Sequence, residues 1–347
     1  MNTDDNQCQV YCNPKNCFTR LNPDTRDKMN RTGEGNQTSM PQEFILLGLS
    51  SHPEVRLALF VAFLALYLVT LLGNLLTVLL VVSDPLLHTP MYFFLSNLSL
   101  LEVGYTSSVL PQMLAHLLAE HRDISLARCM AQMYLFLAFG ITECFLLTVM
   151  SYDRYVAICL PLHYPLLMAK KGCMAMVGTS WAGAFLVSAV NTVSTFQLSF
   201  CGHQEIDHFL CEMPAMVSLA CARKGQAQIV MYVSCVFTLV CPLSLIVLSY
   251  ARILGTVLNI PSTAGRHKAF STCSSHLVVV SLFFGTVISM YLRPRSSSSV
   301  GQLKTSSVFY ITVTPVLNPI IYSLRNKEVI CALRKMMGKD VGALPEQ

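Results

Sequence analysis

Charge is scarce in this chain. Only 12% of its 347 residues are Asp, Glu, Lys or Arg, about half of the roughly 25% that soluble domains carry. Hydrophobic residues reach 53%, mean hydropathy is +0.52, and the apolar residues are bunched into long runs rather than alternating. An ordinary cytosolic globule is therefore excluded. No Lys/Arg cluster is interleaved with aromatics and the net charge is a modest +5, which argues against nucleic acid as a partner. A nucleophile–base pair and a Gly-rich phosphate loop are missing too, so nothing supports an enzyme. Internal repeats, usual in transporters, are absent. Cysteine is plentiful at 14, but several lie inside apolar runs, where a thiol is a small hydrophobe.

What the chain does contain is membrane-spanning length. A spanning helix needs roughly 20 mainly apolar residues, and seven runs qualify, near 56–82, 91–114, 129–158, 174–197, 226–252, 269–292 and 304–324. The expected fold is an all-α membrane protein. It comprises an N-terminal tail (1–54), a seven-transmembrane helix bundle (55–325) and a cytosolic tail (326–347). Residues 1–54 are polar and show no signal peptide, so the first span is expected to act as its own insertion signal. Two sequons, at Asn30 and Asn36, fall in this tail, and glycosylation happens only on the lumenal side. An outside N-terminus and seven spans put Arg154 and the C-terminus in the cytosol; the Lys/Arg bias between loops is weak. A third match, at Asn97, lies within a span and is read as chance.

The spans carry punctuation and charge. Thr89-Pro90 reads as an N-cap followed by Pro at the first helical position. Pro242, Pro315 and Pro319 fall inside later spans, where they free backbone groups and bend helices. Glu102 and Glu143 are carboxyls at membrane depth, each costing about 2.5–3.5 kcal/mol on insertion scales; Asn74 and Asn318 add buried amides. In the third span Phe136, Gly140, Glu143, Leu147 and Arg154 follow helical spacing down one face. Glu143 and Arg154 are eleven residues apart, close to three turns, so both point the same way. The functional reading is a polar channel through the bundle ending in a charge pair, Asp153-Arg154; the structural alternative is interhelical glue. In the tail, Val329, Ile330, Leu333, Met336 and Met337 oppose Lys327, Arg334 and Lys335. That pattern predicts a short amphipathic C-terminal helix lying on the membrane surface.

Gly73-Asn74, Asp153-Arg154-Tyr155 and Asn318-Pro319-Ile320-Ile321-Tyr322 resemble the motifs of rhodopsin-like G-protein-coupled receptors. LHTPMYFFLSNLSLLE (87–102), MSYDRYVAICLPLHYP (150–165), KAFSTCSSH (268–276) and PVLNPIIYSLRN (315–326) are similar to the vertebrate odorant receptors of the tetrapod-type class. The likeness covers about 42–337 and makes residues 1–28 look like an extension of the usual start. It implies a plasma-membrane receptor that binds a small, neutral, lipophilic volatile and activates a heterotrimeric stimulatory G protein to raise cyclic AMP. Same-fold recognition of a non-odorant lipophile, and an ion-coupled transporter or channel using Glu102 and Glu143, are the alternatives.

The resemblance also assigns residues. A pocket is expected from Phe136, Leu137, Gly140 and Ile141, Ser234 and Thr238, Val287, Ile288 and Tyr291, and Val308 and Ile311. Amine receptors of the superfamily place an Asp where Phe136 stands, so a cationic amine is disfavoured. The switch set is Asp153, Arg154, Tyr155, Tyr250, Phe284, Asn318, Pro319 and Tyr322; Asp153 holds Arg154 at rest. Phe284 stands where Tyr is common, and Ser151 where Ala is usual, with a hydroxyl expected to bond back to Leu147. The resemblance pairs Cys129 with Cys211 and Cys201 with Cys221, whereas the sequence alone allows three pairings. A metal site around His203, Asp207, His208, Cys211 and Glu212 is the rival, disfavoured because an oxidised Cys211 offers no thiolate. Asn74, Glu102 and Glu143 form a buried polar set that is a candidate for Na⁺.

Overall fold

The computed structural model describes residues 41–50, 52–200, 204–222, 224–291, 299–324 and 327–337. Among them seven long helices form the body: α1 (Pro53–Ser83), α2 (Pro90–Leu118), α3 (Leu126–Cys159), α4 (Lys170–Phe196), α5 (Lys224–Leu258), α6 (Thr263–Tyr291) and α7 (Ser299–Pro319). A shorter helix, α8 (Lys327–Met336), follows. Five of these helices, α1, α3, α4, α5 and residues 265–290 of α6, are long and apolar enough to cross a membrane. The two others fall short of the sequence-based expectation for a physical reason. Ser99, Glu102 and Thr106 in α2, and Ser307, Thr312, Thr314 and Asn318 in α7, are buried. These helices turn polar residues inward, which lowers their hydropathy.

α1 shows the inverted pattern of a lipid-facing helix. Thr70, Asn74 and Thr77, one helical face by spacing, are buried, while Leu57 and Leu72 are 59% and 70% exposed. A soluble helix does the opposite. α3 is the central helix, packed on α2, α4 and α5. Ser125 caps its N-terminus by accepting from Arg128 N–H. Thr89 occupies the N-cap of α2 as expected, but its side chain makes no capping bond; Pro90 does the starting.

The fold is not purely helical. Short strands β1 (Glu43–Leu46), β2 (Asp123–Ser125) and β3 (Glu205–Ile206) form a sheet in the order β2-β1-β3, antiparallel then parallel. In β1 Phe44 and Leu46 are buried and Glu43 and Ile45 exposed, the two-residue period of a half-buried strand. Phe44 meets Phe200 edge-on, with ring centroids 5.5 Å apart. After β1 the chain turns at Gly48, whose φ of +73° suits glycine. The Arg122 guanidinium lies where a Cβ would stand and donates to Leu47 O and Ser50 O. Lys304 pairs with Asp207 at 2.5 Å, fastening the top of α7 to the β3 loop.

α5 is interrupted by a π-helical turn, Val236–Val240, just before Pro242. Proline cannot donate a backbone bond to the preceding turn, and π-bulges recur at such places. At the far end of the bundle α8 buries Val329 and Ala332, while Met336 and Met337 stay exposed. It is anchored by Tyr92 OH to Glu328 (2.5 Å) and Lys335 to Asp84 (3.6 Å).

Candidate functional site

A cavity of about 60 Å³ lies between α3, α4, α5, α6 and α7. A space that size holds several waters, and its wall is mainly apolar. Of the residues expected there, Phe136, Leu137, Gly140, Ile141, Ser234, Thr238 and Val287 line it. Ile288, Val308 and Ile311 do not: Ile288 and Val308 pack against the core instead, and Ile311 is fully buried within it. The Tyr291 side chain lies outside the described residues. Sequence reasoning missed Cys144, Asn191, Met213, Met231, Cys235, Leu239 and Tyr310. Ordinary helix phase along α3 and α5 would have found Cys144, Met231, Cys235 and Leu239; Asn191 and Met213 need the tertiary fold.

Tyr310 is the structural centre of the site. It lines the cavity and packs against Tyr105, Phe136 and Phe283, with centroids 5.2, 6.3 and 5.6 Å away. Its hydroxyl donates to Glu143 Oε2 at 3.3 Å, and a Cβ added to Gly140 would stand 3.1 Å from the Tyr310 hydroxyl oxygen. Phe284 is buried behind Phe283 and takes no direct part in the cavity wall.

Below Tyr310 the buried polar set assembles. Asn318 Nδ2 donates to Glu102 Oε1, and Asn318 also reaches Glu143. Asn74 has a different job. It donates to Thr70 O and, across to α7, to Pro315 O at 3.1 Å. The fourth residue after Pro315 is Pro319, which has no N–H to give that carbonyl. Asn74 supplies the missing donor, and Gly73 provides clearance: a Cβ there would come within 3.1 Å of Pro319 Cγ.

At the other end of α3, Arg154 is 4% exposed, within electrostatic reach of Tyr250, His276 and Tyr322. Asp153 accepts a hydrogen bond from Tyr164 OH at 2.8 Å. Tyr155 stacks on Tyr152 at 6.4 Å and packs near Ile253 and Val257. Sequence reasoning missed His276, although it closes the string KAFSTCSSH at 268–276. Its Nδ1 is 2.8 Å from Tyr250 OH and its Nε2 3.1 Å from Leu147 O, so it ties α6 to both α5 and α3. That contact also corrects the expectation for Ser151. Leu147 O is taken, and Ser151 donates to Thr148 O at 2.8 Å.

The opposite end is closed by the loop carrying Cys211. Cys129 and Cys211 are bonded to each other, as the resemblance implied. Cys221 is also disulfide-bonded; Cys201, Asn30, Asn36 and residues 1–28 lie outside the described residues. Cys211 N–H donates to Gln132 Oε1 on α3 at 2.9 Å, and two residues later Met213 enters the cavity wall. Among the described residues no group of three His, Cys, Asp or Glu could hold a metal.

The family model described as "Olfactory receptor" matches residues 63–340. The chain belongs to the olfactory receptor family. It is 51% identical over 310 residues to "Olfactory receptor-like protein OLF3" of Canis lupus familiaris, covering 89% of this chain and 98% of that one. "Olfactory receptor 2F1" of Homo sapiens is similar at 51% with the same coverage. "Olfactory receptor 2C1" of Mus musculus is 49% identical over 89% of this chain and 99% of its own length. Members of this family are receptors, not enzymes.

In this family member the loop is held by two fully buried groups, His208 and Glu212, with Nε2 and Oε1 3.3 Å apart. Leu210 N–H donates to His208 Nδ1, so the proton of the neutral ring sits on Nε2, facing Glu212. Glu212 Oε2 accepts from Ser307 of α7 at 3.3 Å. Burial pushes His208 down from 6.5 to about 3, with Lys304 adding to the shift and Asp207 opposing it. Burial lifts Glu212 from 4.5 to about 8, with the Ser307 bond opposing. Near neutral pH the contact is thus a neutral one rather than an ion pair. Docking of the loop loses the His208 contribution as pH falls below about 6.5 towards 3. It loses the Glu212 contribution as pH rises above about 4.5 and through 8. Melting temperature of the purified receptor should therefore peak near pH 5–6 and decline by pH 9. Glu212→Gln should remove the alkaline decline, and an unchanged decline in that variant would contradict the assignment.

Proposed function

We propose that this chain is an odorant receptor of the plasma membrane, crossing it seven times with its N-terminus outside. A small neutral lipophilic volatile binds in the cavity, and the receptor then activates a heterotrimeric stimulatory G protein to raise cyclic AMP. The observation that carries this reading is the double role of Tyr310, which lines an apolar cavity and donates to Glu143 at the head of the buried polar set. A ligand that displaces Tyr310 changes the environment of Glu143, Glu102 and Asn318. At the Arg154 end, outward movement of α6 has to break the His276–Leu147 contact, opening a site beside Arg154 for the G protein. A ligand drives that movement only to the extent that it binds the open arrangement more tightly.

Recognition of a non-odorant lipophile outside the nose shares the same cavity and is distinguished by ligand alone. The transporter reading lacks repeats to support it. The test is a cyclic AMP assay across a panel of volatiles in cells expressing the full chain, with surface amount measured. Silence across the panel at normal surface amount would overturn the reading.

Na⁺ is the ion proposed for the polar set. Glu102 Oε2, Glu143 Oε1 and Asn318 Oδ1 are all buried without a hydrogen-bond partner among the described residues, and hard oxygen donors suit such a cation. Because they gather while α6 is tied to α3, Na⁺ would favour that closed arrangement. Removing Na⁺ should raise basal cyclic AMP, and Glu143→Gln should make the basal level insensitive to Na⁺. Equal Na⁺ sensitivity in wild type and variant would count against this assignment.

A further inference from the structure

Asn191 lines the cavity from α4 and is 3% exposed. Its Nδ2 donates to Val187 O, one turn back, and to Ser234 Oγ on α5, both at 2.9 Å. A backbone carbonyl can only accept, so Val187 O settles which end of the amide is nitrogen. Both amide hydrogens are used. Oδ1 is left buried with no hydrogen-bond partner among the described residues.

Ser234 is the acceptor in its bond with Asn191, and among the described residues its own hydroxyl hydrogen has no recorded acceptor. Thr238 differs, since its hydroxyl is spent on Ser234 O at 2.9 Å. An unpartnered acceptor and a hydroxyl donor therefore belong to two mutually bonded residues that both line the largely apolar cavity. A ligand hydroxyl complements both: it gives its hydrogen to Asn191 Oδ1 and takes that of Ser234 on its oxygen. Among the described residues no Lys, Arg, His, Asp or Glu lines the cavity, so ionised acids and amines would enter without a counter-charge, which is costly. An ether or ketone can use Ser234 but leaves Asn191 Oδ1 unmade, and a site built for a hydroxyl rejects analogues lacking it.

We infer that Asn191 and Ser234 select ligands carrying a hydroxyl on an apolar body, that is, small aliphatic or alicyclic alcohols. The inference rests on the receptor reading and deepens it by naming the ligand class.

The experiment uses matched pairs, medium-chain and cyclic alcohols with their O-methyl ethers, on the full chain in a cyclic AMP assay with surface amount measured. Wild type should respond to alcohols at concentrations at least about ten-fold lower than to the ethers, equivalent to about 1.4 kcal/mol. Asn191→Leu should collapse that ratio towards one by weakening the alcohols more than the ethers. Should Asn191→Leu fail to reach the surface, Asn191→Ala, which removes the same oxygen, is expected to narrow the same ratio. Ethers as potent as alcohols on wild type, or a ratio untouched by substitution, would overturn the inference and leave the receptor reading standing. No response to any volatile class would overturn both.

Discussion

Replacing Arg154 with Ala should abolish the cyclic AMP response to any activating volatile while the receptor still reaches the cell surface. The guanidinium is buried at the end of α3, beside Tyr250, His276 and Tyr322. It presents five fixed donors in a planar fork, which alanine cannot imitate. Its neighbour Asp153 retains the hydrogen bond from Tyr164, so the variant does not leave that carboxylate stranded. The α3–α6 tie through His276 and Leu147 O involves no atom of Arg154 either. The expected outcome is a response reduced to baseline with near-normal surface labelling. A surviving response would overturn the coupling mechanism, whereas loss from the surface would show Arg154 to be structural first.

Loss of the Cys129–Cys211 bond should be as severe but of another kind. The bond closes a loop of 82 residues, for which the chain-entropy relation gives about 4–5 kcal/mol. That is a large fraction of the roughly 5–15 kcal/mol that holds a folded domain together. Cys211 also donates its N–H to Gln132, and the segment it fixes carries Met213 into the cavity wall. Cys211→Ser is therefore expected to remove most surface receptor and to lower the melting temperature of what remains. Cys129→Ser should match it, and the double variant should be no worse than either, because one bond is lost in all three. Additive losses would mean the two cysteines act separately.

Much of the architecture was legible in the sequence because a bilayer demands length and apolarity, and both are local properties. The limits of α1, α3 and α4 lie within four residues of the apolar runs, and α5 continues six residues past its run. α2 and α7 were legible as helices but not as the most apolar ones, since their polar residues make sense only once the interior of the bundle is known. Strand β1 is four residues long. Its alternation is too short to separate from a tail without β2 and β3, which lie far along the chain.

The site divides in the same way. Helical spacing within one segment determined the helices and the α3 face that carries Phe136, Gly140, Glu143 and Arg154, while the cavity positions Phe136, Leu137, Gly140 and Ile141 came from the resemblance. Only the tertiary structure decided the partners. It set His276 between Tyr250 and Leu147, gave Asn74 to the carbonyl that Pro319 leaves bare, and turned Asn191 so that its oxygen is unmatched. The reason is that a Ser, Thr or Asn side chain on a helix can bond back to its own carbonyls. Which of them instead reaches a neighbour depends on the rotation and spacing of two helices whose contacting residues are up to 241 positions apart.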